Sequence, residues 1–68
     1  MELRVAENIK RLRVENNLTQ AELADFLSVS PQAVSRWENG QAYPDIELLA
    51  KIADRFDVAV DEIGRAHV

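Results

Sequence analysis

Wound as a helix, residues 30–39 bring Pro31, Gln32, Ser35, Arg36 and Asn39 onto one continuous stripe. Each is short, polar or a donor fork, and none is an aliphatic side chain that would seek a core. Glutamine can pair bidentately with an adenine edge and arginine with a guanine edge, and a helix fits the major groove of a duplex. The chemistry on offer is recognition by hydrogen bonding. Bond making is excluded by what is missing. With one histidine, His67 in the tail, and no cysteine, neither a zinc site nor a Ser/His or Cys/His nucleophile can be assembled. Glu47, Asp54, Asp57, Asp61 and Glu62 form an acidic, solvated face without the spacing of a calcium loop. We therefore expect no enzyme, no metal and no cofactor.

The net charge of −4 opposes a polyanionic partner at first sight. Its distribution softens the objection. Residues 1–40 hold five cations against six acids, whereas residues 41–68 hold three against six. The acid thus concentrates late in the chain, and the lack of a basic surplus even in residues 1–40 predicts modest, salt-sensitive affinity.

The elements that must position the stripe follow from periodicity and punctuation. The two prolines and two glycines sit between periodic segments or at their ends. A first helix is expected over about 3–16, with Val5, Ile9 and Leu12 on one face and Asn16-Asn17 closing it. A second opens on Thr19, with Glu22 three residues later in capping-box register, and buries Leu23, Ala24 and Leu27. The third, which carries the stripe, opens on Ser30-Pro31, buries Ala33, Val34 and Trp37, and stops at Asn39-Gly40. The fourth follows the cap Asp45 and turns Leu48, Leu49, Ile52, Ala53 and Phe56 inward. A short fifth, over about 60–64, faces Val60 and Ile63 inward. No stretch alternates with period two long enough for a strand, so the class is all-α. At 68 residues the chain suits one compact domain, 1–68, which buries only about 60 % of its unfolded surface. It has no membrane-length apolar run and no signal-like start, and we expect a soluble cytoplasmic protein.

Only Ser28-Val29 separates the second segment from the third, too little for side-by-side antiparallel packing. The two must cross steeply, with Val29 filling the gap, in helix-turn-helix geometry. The runs Leu18–Ala24, Val29–Gly40 and Tyr43–Leu49 closely resemble the Cro/repressor-type (XRE) helix-turn-helix family, above all in Thr19-Gln20 and Trp37-Glu38-Asn39-Gly40. The resemblance covers about residues 5–63. It implies a five-helix, lambda-repressor-like bundle, sequence-specific binding to a double-stranded DNA operator, usually as a homodimer, and regulation or repression of transcription.

The resemblance also assigns residues. The glutamine that anchors a phosphate is Gln20, and a helix N-terminus with free amides and a positive dipole end suits that role. The base-reading positions fall on Pro31, Gln32 and Arg36, with Pro31 offering only apolar contact to a thymine methyl. Ser30, Ser35 and Asn39 flank them toward phosphate. Gln41 and Tyr43 follow the backbone after Gly40, and Lys10 and Arg11 flank the same strand. Arg13 and Glu38 are expected as a structural pair across the first and third helices. Relatives often place glycine where this chain has Ser28, and a serine or threonine cap where it has Ala59. Phe26 stands where the family is usually polar, and we expect its neighbours to cover part of it. Phe26 and the acidic balance also suit a rival reading on the same fold, a protein-interaction module such as an antitoxin.

Overall fold

Three helices start on a side chain that takes up an amide the helix itself leaves without an acceptor. A computed structural model of the chain, which describes residues 4–64, places α1 at Val5–Glu15, α2 at Gln20–Leu27, α3 at Pro31–Glu38, α4 at Ile46–Phe56 and α5 at Val60–Gly64, with no strand among them. Leu3 and His67 lie outside the described residues. Thr19 Oγ1 accepts from the Glu22 amide at 3.0 Å while Glu22 Oε1 accepts from the Thr19 amide at 2.9 Å, a closed capping box. The bond from the Thr19 backbone, chiefly, holds the Glu22 carboxyl below its ordinary range. Ser30 Oγ accepts from the Ala33 amide at 3.2 Å, and Asp45 Oδ1 from that of Leu48 at 2.9 Å.

Four turns end on one device. Asn17, Ser28, Gly40 and Asp57 all have positive φ, and the amide that follows each donates to the carbonyl five residues back. These are the Leu18–Arg13, Val29–Ala24, Gln41–Arg36 and Val58–Ala53 bonds of Schellman-type ends. At three of them the next side chain, Leu18, Val29 or Val58, packs on the core, so the turn that ends a helix also plugs a gap. Only one of these left-handed residues is glycine.

Ile9, Leu23, Leu27, Val34, Ile52 and Ile63 are fully buried, which ties all five helices to one core. Trp37 joins them at 4 % exposure. Ala33 is only half-buried, and Val60 corrects the expected inward pair of α5: it is 37 % exposed, although α5 packs on α1 and α4. Asn8 sits buried on the apolar face of α1, between Val5 and Leu12. Its Nδ2 donates to the carbonyls of Ile63 at 2.7 Å and Glu62 at 3.2 Å, which ties α1 to α5. No helix among the described residues is long and apolar enough to cross a membrane.

Candidate nucleic-acid interface

α3 packs chiefly on α2 and α1 through Val34 and Trp37, which leaves its opposite side outward. Pro31, Gln32, Arg36 and Asn39 are exposed there, and Ser35 is half-buried among them. Arg36 makes no ion pair with any described residue. Asn39 Nδ2 lies 3.5 Å from Ser35 Oγ, a long hydrogen bond along the stripe. At the start of α3, Pro31 has no amide and Ser30 already satisfies that of Ala33, so Gln32 is left with the first-turn N–H. Ser30 Oγ, acting there as acceptor, keeps its own proton to donate.

Gln20 occupies the first position of α2, beside the last turn of α3. Its Nε2 donates to Glu38 Oε1 at 3.1 Å. The same carboxylate takes two bonds from Arg13, Nε to Oε2 at 2.7 Å and Nη2 to Oε1 at 3.0 Å. Arg13 Nη1 reaches the Leu18 carbonyl at 2.8 Å, so one guanidinium joins α1, the α1–α2 turn and α3. The side chains of Arg13 and Glu38 are 13 % and 3 % exposed. The Glu38 hydrogen bond raises the Arg13 pKa further above its ordinary value.

Beyond Gly40, whose φ of +74° turns the chain, alternate residues are anchored. Ala42 packs on the core and Pro44 is buried, while Gln41 and Tyr43 point outward. Lys10 is exposed on α1. Arg11 is turned elsewhere: it pairs with Glu15 at 3.3 Å and, with Leu12, Val58 and Glu62, lines a shallow cavity beside α5. Two residues are about 200° of helix, so Arg11 lies across α1 from Arg13 and its α3 partner.

Phe26 is 52 % exposed, covered on one side by the Arg55 guanidinium 5.7 Å from its ring centroid. Arg55 also lies 5.6 Å from the centroid of Phe56, so one cation serves two rings. Glu47, Asp54, Asp57, Asp61 and Glu62 are all exposed, on or next to α4 and α5, and α5 packs on α1 and α4.

Sequence reasoning passed over Asn8, the Gln20–Glu38 bond and the Arg55–Phe26 contact. Only Asn8 left a local signal, a polar residue at a position whose neighbours one turn away are apolar.

The helix-turn-helix family profile matches residues 9–63, spanning the turn, α3 and the capped starts just described. The chain belongs to the helix-turn-helix family. It is 46 % identical over 57 residues to the HTH-type transcriptional activator BcrR of Enterococcus faecalis, covering 84 % of this chain and 28 % of BcrR. It is 39 % identical over 61 residues to the antitoxin PezA of Streptococcus pneumoniae, covering 88 % of this chain and 39 % of PezA. The chain therefore spans well under half of either relative. Among solved structures, a transcriptional regulator from Listeria innocua superposes with a TM-score of 0.91 at 31 % identity, over 100 % of this chain and 65 % of that one. The P22 c2 repressor, solved in complex with a synthetic operator, superposes with a TM-score of 0.86 at 25 % identity, over 93 % and 96 % of the two chains. The all-α, five-helix repressor architecture of this helix-turn-helix chain is thus shared with proteins of transcription.

Proposed function

We propose that the chain is a sequence-specific, double-stranded DNA-binding regulator of transcription, a repressor that acts in the cytoplasm as a homodimer and catalyses no reaction. The outward stripe of α3 carries this reading. It presents Gln32 and Arg36, unpaired with other described side chains, on the helix that a helix-turn-helix offers to the major groove. Pro31 adds apolar contact to a thymine methyl. Gln20, Ser30, Ser35, Asn39, Gln41, Tyr43 and Lys10 hold phosphates around it. Arg11, turned toward α5, falls outside this set. The acids of α4 and α5 lie on elements that pack chiefly on α1, α2 and each other, so a chain of net charge −4 can approach a polyanion with α3 foremost.

Selection of bound sequences from a random duplex pool at two salt concentrations tests the reading. A homodimer should recover an inverted repeat with half-site centres about 10 base pairs apart. Recovery of no preferred sequence would overturn it. A second reading, an antitoxin-like module whose main partner is a protein, is favoured by the PezA similarity and by the half-covered Phe26 ring. It predicts weak, sequence-indifferent DNA retention.

A further inference from the structure

We propose that Glu38 is a positioning residue for DNA binding, which orients the Gln20 carboxamide so that it offers an N–H, and not its oxygen, to a phosphate; this rests on the DNA-binding reading above. The problem Glu38 solves is specific to glutamine. A carboxamide carries a donor end and an acceptor end of almost the same shape, and a phosphate oxygen accepts only from donors. A free glutamine also loses rotamer freedom when a ligand freezes it.

Glu38 settles both matters before any phosphate arrives. A carboxylate only accepts, so the amide must turn its nitrogen toward Glu38 Oε1, as it does at 3.1 Å. The second N–H on the same nitrogen is then left for an outside acceptor. Glu38 cannot swing away, because Arg13 holds both of its oxygens, at 2.7 and 3.0 Å, and its side chain is 3 % exposed. Arg13 is fixed in turn by the Leu18 carbonyl at 2.8 Å. Each member of the chain from Leu18 through Arg13 and Glu38 to Gln20 thus has one permitted orientation.

Two further observations fit. Pro31, the first residue of α3, has no polar side chain to offer Gln20, and Glu38 supplies the one side-chain hydrogen bond that Gln20 makes among the described residues. A carboxylate beside a phosphate site would repel it, and at the end of α3 it also opposes the helix dipole. The bidentate Arg13 cancels that charge while leaving its geometry in place. Because Glu38 belongs to α3, the phosphate anchor at the start of α2 is registered to the helix that carries Gln32 and Arg36.

The test compares two variants with the same net charge as the unaltered protein, Arg13→Met/Glu38→Leu and Arg13→Met/Glu38→Gln, each with Gln20 present and with Gln20→Ala. Only the glutamine at position 38 keeps an acceptor for Gln20. Binding to a mixed-sequence duplex, measured at a temperature where all four are folded, should be about three- to tenfold weaker for the leucine variant than for the glutamine variant. That difference should vanish in the Gln20→Ala background. A difference that is absent, or that persists without Gln20, overturns the proposal. The unaltered protein gives a second readout: before DNA is added, one of the two Gln20 side-chain amide protons, the one donated to Glu38, should be protected from exchange with water and shifted from its free value, and duplex should perturb the other. Two Gln20 amide protons that are equally unprotected and at their free shifts in the protein without DNA also overturn it. Failure of the unaltered protein to bind any duplex would instead remove the DNA-binding reading itself.

Discussion

The Arg13 guanidinium and the Glu38 carboxylate meet face to face across the α1–α3 boundary, through hydrogen bonds of 2.7 and 3.0 Å between side chains 13 % and 3 % exposed. A pair so enclosed gains Coulomb energy but gives up the hydration of both ions, and the two nearly offset. Its energetic signature is therefore asymmetric. Glu38→Ala strands the guanidinium and should cost roughly 3–5 kcal/mol in urea unfolding. Arg13→Met combined with Glu38→Leu removes both ions and should cost much less. Additive losses in that cycle would show that the two residues do not interact.

Ser28 holds φ at 59° between α2 and α3, a conformation that costs an L-residue about 1 kcal/mol and glycine almost nothing. Ser28→Gly should raise the melting temperature by roughly 4–8 °C. A midpoint that stays put or falls would mean that Ser28 is not strained, or that its side chain supports the turn.

The start of α5 has half of a capping box. Glu62 Oε2 accepts from the Ala59 amide at 3.2 Å, but the alanine side chain has no acceptor for the Glu62 amide, which bonds only the Ala59 carbonyl at 3.0 Å. Ala59→Ser completes the exchange and should stabilise the fold by about 0.5–2 kcal/mol. Coincident urea midpoints would count against this cap.

Positioning and reading are separable by substitution. Gln20→Ala removes a phosphate contact, which carries no sequence information, and should weaken cognate and scrambled duplexes by similar factors. Arg36→Ala and Gln32→Ala should each weaken the cognate duplex by about 1–3 kcal/mol more than the scrambled one and relax preference at one or two base pairs per half-site. An Arg36 that reaches only phosphate would instead flatten the salt slope by about one unit per half-site. If neither α3 substitution alters preference, α3 is not the reader.

Much of this architecture could be read directly from neighbouring residues. Thr19 and Glu22, Ser30 and Pro31, and Asp45 mark helix starts because a cap bond spans only three residues. The buried faces of α2 and α3 followed from the 3.6-residue period, which put Leu23, Ala24 and Leu27, and Val34 and Trp37, inside. The exposed α3 stripe was legible for the same reason, as the complement of that buried face.

What neighbours could not decide was settled where helices meet. The Asn8 amide bonds a carbonyl 55 residues away, and Gln20 a carboxylate 18 residues away. Both depend on how α5 lies on α1, and on how α2 and α3 pack together. Arg11 and Lys10 are adjacent in sequence, yet only the arrangement around α1 turns Arg11 to α5. Val60 has the residue type of a core position and is exposed, because a helix of five residues has little surface to bury. Capping and periodicity act within one turn, so a linear chain records them. Which side chain a buried amide or guanidinium faces is set by interaxial angle and distance, and those exist only once the helices have packed.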